Sequence, residues 1–289
     1  MTICDVLDTP ERKKQYRITK VNSFDLYEQK QLTRHHHNLK EELNVYTNRL
    51  QRCIDIVFPE FNSLFDSKYG RVYMSVLKTF GSAEAIANAD IRRIRRCFEY
   101  KGRGRRISLT PEMLKDRAKS SVGIPSSADV IQIRHLVDQI ELIHEQITEI
   151  DKKIEEFSLK TNSPILSIPG ISHFSGTSIL AELGDISNYS NARKIIKAAG
   201  VAPYHYESSQ FIAQHTAITK KGSKYLRKTL YQIILTVIRC NPVFKEYYQL
   251  KISQGKGHRC AQGHCVRKLL RVIYHLVTTN QPFNPDLLR

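Results

Sequence analysis

The chain has 289 residues and carries 45 Lys and Arg against 28 Asp and Glu, a formal charge of +17. Its 41% hydrophobic and 25% charged residues exclude a disordered chain, and with no run of about 18 apolar residues a transmembrane helix is excluded too. So large a positive charge attracts polyanions: nucleic acid is the default partner, and an acidic lipid surface is disfavoured because no polybasic run adjoins an anchor.

The opening MTICDVLDTPERKK lacks the apolar core of a signal peptide. Six scattered Cys read as the reduced thiols of a cytosolic protein. Residues 1–22 show no periodicity and are expected to be an extended lead-in. From Ser23 to about Asp55 the pattern is helical: Leu26, Leu32, Leu39, Leu43, Tyr46 and Leu50 recur at helical spacing, and Pro59 closes the helix. A second long helix is expected over Ser126 to Phe157, with Ile131, Ile133, Leu136, Ile140, Ile143, Ile147, Ile150 and Ile154 as its seam. The two helices are expected to pair antiparallel within the chain. The alternative is a dimer seam, which would make the protein a homo-oligomer through its long helices.

Between them lies the densest positive segment, Arg92, Arg93, Arg95, Arg96, Lys101, Arg103, Arg105 and Arg106, with Gly102 and Gly104 breaking any helix. This predicts a flexible basic loop whose Arg103, Arg105 and Arg106 neutralise phosphates and release counterions. A solvated charged face is the alternative.

The segment SPILSIPGISHFSGTSILAELGDI, Ser163 to Ile186, predicts a short helix ending at Leu166, a tight turn at Ile168-Pro169-Gly170-Ile171, and a second helix from Gly176 to Leu183. Pro169 presets φ and Gly170 can take the positive φ that other residues resist. The pattern is that of a helix-hairpin-helix, in which N–H groups at the start of the second helix hold one phosphate. Pro169, Gly170 and Ile171 are therefore candidate contacts. A corner packed by Ile168 and Ile171 is the alternative.

Beyond Ala198-Ala199-Gly200, the residues Pro203, Tyr204, Tyr206, Ser208 and Ser209 predict a loop or short β hairpin. Lys220-Lys221-Gly222-Ser223 leads into a helix expected to carry Lys220, Lys224, Arg227 and Lys228 on one side and Leu226, Leu230, Ile233 and Val237 on the other. That cationic face has no carboxylate for two turns, as a helix lying along a phosphate backbone requires. The last helix, about Cys260 to Val277, puts His264, Arg267, Lys268, Arg271 and His275 in one stripe. Cys265, Leu269, Val272, Ile273 and Leu276 lie mostly opposite. His258, Cys260, His264 and Cys265 crowd too closely on one helix to close a zinc tetrahedron, and His35-His36-His37 reads as a polar helix face. No metal site is expected from these residues.

The pieces SIPGIS, ILAELGDI with Tyr189 following, KAAGVAP, ITKKGSKYLRKTL and the CVRKLL end run in order over about Pro164 to Pro282. Here the chain resembles the C-terminal domain of transposases of the IS110/IS116/IS902 group, and the helices from Ser23 onward resemble the region joining that domain to a RuvC-like domain. The resemblance implies a DNA transposase or site-specific recombinase of an insertion sequence, acting on element ends and target DNA. It also implies a structured noncoding RNA partner and Mg²⁺ held by four carboxylates of the RuvC-like part. A serine in a Tyr-x-Ser-Gly type motif would attack a DNA phosphate. Tyr206-Glu207-Ser208-Ser209 falls at that motif, so Ser208 is the implied nucleophile; Ser209 replaces the glycine and is the substitute. Lys220, Lys221, Lys224 and Arg227 match the basic segment that follows.

Asp5 and Asp8 have the spacing of the family's last carboxylate pair in an unsuitable context, so the chain is expected to be N-terminally truncated and to lack the Mg²⁺ ligands. The expected fold is mainly α: residues 1–22 a remnant or lead-in, 23–160 a long helical hairpin or coiled coil with its basic loop, 161–289 a compact helical domain with a helix-hairpin-helix-like motif. Two readings of function stay open, a recombinase with a serine nucleophile and a catalytically inactive DNA- or RNA-binding remnant that modulates an intact transposase. A helix-hairpin-helix repair accessory is a third. The family places the protein in the cytoplasm of a bacterial or archaeal cell, with the nucleoid.

Overall fold

The computed structural model describes residues 24–99, 108–124, 126–204, 207–208, 211–212 and 217–288. The fold is mainly α. Two long helices, α1 (Phe24–Val57) and α6 (Ser127–Thr161), bracket four shorter ones: α2 (Arg71–Thr79), α3 (Ala83–Asn88), α4 (Ile91–Phe98) and α5 (Pro111–Lys119). Then follow α7 (His173–Leu183), α8 (Ala192–Ala198), the two-residue strands β1 (Glu207–Ser208) and β2 (Phe211–Ile212), α9 (Lys224–Cys240), α10 (Pro242–Ser253) and α11 (His258–Thr279). Two compact units divide the chain: His35–Lys152, and the described residues of Met1–Arg34 with Lys153–Arg289.

In the His35–Lys152 unit, α1 stops at Val57 because Pro59 disfavours the helical conformation for Phe58, whose φ is −160°. The long helices pair antiparallel: Cys53 Sγ lies 3.1 Å from Gln132 Oε1, and His36 Nε2 3.2 Å from Asp151 Oδ1. Ile133, Leu136, Ile140, Ile143, Ile147 and Ile150 are all buried, so the expected seam is consumed inside the chain. Ile131 is a correction: it is 54% exposed and lies off the seam.

The stretch between the long helices is a second correction. Arg92, Arg93, Arg95 and Arg96 are not in a loop but on α4, which Asp90 caps by accepting from the Arg92 N–H. Ile94 and Cys97 turn inward from it. Ser82 caps α3 and Thr110 caps α5 in the same way, with Pro111 at the first helical position. These short helices close a core around Phe58, Phe61, Tyr73, Ile86, Ile94 and Leu114, with Phe61 and Tyr73 ring centroids 4.8 Å apart. Lys101, Arg103, Arg105 and Arg106 lie outside the described residues, as do Asp5 and Asp8.

The second unit is built around α11. Its Cys265, Leu269, Leu270, Ile273 and Leu276 meet Leu226, Leu230, Ile234 and Val237 of α9 and Ile165, Ile168, Ile179 and Ile195 from the segments before it. The hairpin segment differs from expectation in two places. Its first arm is a 3-10 turn, Pro164–Ser167, and α7 begins at His173 because Ser172 and Ser175 form a reciprocal capping box. Gly170, at φ 99°, sits so close to α9 that a Cβ would lie 2.9 Å from the backbone of Val237. The glycine is thus required by both turn and packing.

Candidate nucleic-acid interface

Two glycine-bearing segments dock backbone to backbone where α9 begins. The Lys220 N–H donates to Gly200 O at 3.0 Å and the Ser223 N–H to Ala198 O at 3.0 Å. Gly222, at φ 146°, passes Ala198 O so closely that a Cβ would stand 2.2 Å from it. Lys220 itself has φ 52°, so the expectation that it lies on the helix is corrected: Ser223 caps α9 by accepting from the Leu226 N–H, and Lys220 and Lys221 are exposed residues of the lead-in. Arg227 reaches back across this junction, its Nη1 donating to Lys220 O at 3.2 Å.

Beneath the cap lies Glu182 of α7, its side chain 1% exposed. Arg34 Nε and Nη2 donate to its two carboxylate oxygens at 2.5 and 3.1 Å, and Ser223 Oγ donates at 2.6 Å. Burial pushes this carboxyl up, but the hydrogen bonds from Arg34 and Ser223 and the charges of Arg34 and Lys30 outweigh it and hold it below the ordinary range. The Arg34 guanidinium and the Lys224 ammonium each lie 4.9 Å from the Tyr225 ring centroid. The capping serine and the buried acid therefore set where the cationic turn of α9 points.

That turn faces a groove of about 540 Å³ lined by Lys224, Arg227 and Lys228 of α9 and Arg259 of α11, with Tyr231, Leu235, Gln262 and Ile218 between them. Among the described residues no carboxylate lines it. Burial raises the Tyr231 phenol, while Arg267 and Arg227 pull it down. His264 is held low, first by burial and then by Arg267, Lys251 and Lys256, so it is neutral at pH 7 within a positive field.

Ile218 ties the groove to the hairpin. Pro203 and Ile218 form an isolated antiparallel bridge, and further out Glu207 pairs with Ile212 and Ser208 with Phe211. Ser208 is thus placed, with Phe211, at the described pair most removed along the chain from the Pro203–Ile218 bridge. Its side chain, Tyr206 and Ser209 lie outside what is described.

The structure brings Lys224, Arg227 and Lys228 together and adds Arg259, which sequence reasoning missed. Arg267 does not line the groove but acts on the Tyr231 phenol through its charge, whereas Lys268 and Arg271 face a different cavity. At the Pro169-Gly170-Ile171 turn the Ile171 N–H donates to Ile168 O, and just beyond it the N–H groups of Ser172 and Ser175 are used in the capping box. Glu182 was also missed; its signal was a lone acid in the apolar run SILAEL. Among the described residues no three His, Cys, Asp or Glu side chains gather as a metal would need.

Residues 162–249 match the family described as Transposase IS116/IS110/IS902. The chain is 27% identical over 177 residues to the pilin gene-inverting protein of Moraxella lacunata, covering 60% of this chain and 54% of that protein. It is 24% identical over 226 residues to the IS900 uncharacterized 42 kDa protein of Mycobacterium paratuberculosis (76% and 56%). To the transposase for insertion sequence element IS1328 of Yersinia enterocolitica it is 32% identical over 131 residues (45% and 36%). The unit that holds the cationic groove is thus similar, over these residues, to transposases of insertion sequences. The family match covers residues 162–249, the segment that carries α7 to α9 and most of α10. The chain spans about half the length of the curated relatives it matches.

Proposed function

We propose that this chain is the DNA-gripping, serine-bearing part of an insertion-sequence recombinase. The observation that carries this is the groove, where the described lining has four cations from α9 and α11 and no carboxylate, beside the Pro203–Ile218 bridge that flanks the segment holding Ser208. Cations so placed neutralise successive phosphates without reading bases. In the proposed reaction the Ser208 oxygen bonds to a DNA phosphorus, one P–O ester bond to deoxyribose breaks, and the serine proton passes to the leaving hydroxyl. The groove cations stabilise the charge that builds on the phosphoryl oxygens. Ser209 is the alternative nucleophile.

Lys224→Ala and Arg259→Ala are each expected to weaken duplex binding for every sequence and to lower the slope of log K against log[salt] by about 1. An unchanged slope removes that residue from the interface. For the chemistry, the chain is incubated with Mg²⁺ and DNA carrying element ends. A covalent protein–DNA adduct is expected, absent in Ser208→Ala; if it persists there but is lost in Ser209→Ala, the nucleophile is Ser209. Tight, salt-sensitive binding with no adduct would replace this reading by a protein that binds without cutting.

A further inference from the structure

A second cavity, of about 490 Å³, opens on the other side of α11, between that helix, α10 and the C-terminal tail. The tail is built into its wall. Asn280 takes φ 52° and ends the helix, the Gln281 N–H donates to Leu276 O, and the Phe283 N–H donates to Ser167 Oγ at 2.7 Å. Ser167 is held in turn by donating to Pro164 O at 2.6 Å.

The lining divides into three kinds of surface. Val272 and Leu276, both buried, form an apolar floor, and half-buried Phe283 stands beside it. Lys268, Arg271 and His275 supply positive or protonatable groups on one side of α11. Gln281 and Asn284 put two exposed amides at the rim, and among the described residues no carboxylate lines the cavity. Lys268 is held over the rings of Tyr247 and Phe244, 4.7 and 5.8 Å from their centroids. Burial lowers its pKa, so its ammonium is short of water and gains from an arriving anion.

A cation pair beside an aromatic and apolar slot, with amides at the edge, has the chemistry of one nucleotide. The phosphate suits Lys268 and Arg271, the base face suits Phe283 and the floor, and the base edge suits the amides. A stacked base inside a duplex cannot offer its faces. We propose that this cavity binds an unpaired nucleotide of a nucleic-acid strand, with Phe283 as its stacking surface. The proposal rests on the reading that this unit handles nucleic acid, and it adds a recognition element separate from the groove.

The test uses the full chain and fluorescence anisotropy with four probes: a labelled single-stranded oligodeoxynucleotide, the ribo strand of the same sequence, the deoxy strand with abasic sites, and a blunt duplex. Phe283→Ala is expected to weaken binding of the base-bearing strands about tenfold, with the abasic strand and the duplex held within about twofold of wild type. Asn284→Ala and Arg271→Gln alter exposed residues and serve if Phe283→Ala fails to fold. Each is expected to weaken single-strand binding, Asn284→Ala only where bases are present.

Equal losses on abasic and base-bearing strands from Phe283→Ala or Asn284→Ala, or no loss from any variant, would overturn the proposal. So would competition by AMP at concentrations no higher than those of the strands, since the site would then serve a free nucleotide. Which of the deoxy and ribo strands binds more tightly names the source of the nucleotide. Duplex binding and its salt slope report on the groove, so failure of the cavity and failure of the groove give different results.

Discussion

Gly222→Ala is expected to destabilise the second unit by about 3–5 kcal/mol, lowering its thermal midpoint by roughly 10 °C. Two effects combine. At φ 146° a side chain is strained, and the new Cβ would stand 2.2 Å from Ala198 O and 2.8 Å from the Gly200 N. Neither neighbour can step aside, because both are backbone held by the Ser223-to-Ala198 and Lys220-to-Gly200 hydrogen bonds. Relief requires the two segments to separate, which moves the start of α9 and with it Lys224, Arg227 and Lys228. Lys221→Ala, one residue away and exposed, is expected to shift stability by no more than about 0.5 kcal/mol. Circular dichroism melts of both variants check the contrast; similar melts would mean that the segments do not dock in this way.

Glu182→Ala should come next, at about 3 kcal/mol, the lower end for breaking a buried ion pair. Arg34 is 34% exposed and can rehydrate once abandoned, whereas Ser223 loses the acceptor that orients its capping hydroxyl. The sign with pH is fixed by the direction of the shift. Folding lowers the Glu182 pKa, so its contribution is fully present above the ordinary carboxylate value of 4.5 and is lost as pH falls through and below it. Urea unfolding of wild type and Glu182→Gln should therefore differ at pH 7 and converge in acid. A gap independent of pH would show that packing, not the ion pair, carries the effect.

Much of the fold was legible because its signals are local. The apolar spacing from Leu26 to Leu50 and from Ile133 to Ile154 located both long helices to within a few residues, and Pro59 marked the end of the first. The short helices between them left weaker traces. Thr110-Pro111-Glu112 is a readable helix start, as are Ser82 and Asp90, but the crowd of arginines after Asp90 and the glycines at 102 and 104 suggested a loop instead. Ile94 and Cys97, the inward residues of α4, are too few to reveal its period. At the hairpin, Ser172 followed by Ser175 is a capping pair, and it starts α7 at His173 rather than Gly176.

The candidate site was legible in its parts and hidden in its assembly. The KKGSKYLRK run shows a helix with cations on one side, since 3.6-residue spacing dictates which side chains share a face. It could not show that Arg259 completes that face, because Arg259 belongs to another helix and arrives only where α11 packs on α9. The bond between Glu182 and Arg34 spans 148 residues and that between Glu182 and Ser223 spans 41, distances over which no local pattern operates. Charge, helix type and family resemblance could be read along the chain, because each depends on residue identity and near neighbours. Grooves, buried ion pairs and the docking of Gly222 on Ala198 exist only after folding has removed water between distant segments, and in those places packing chose the partners.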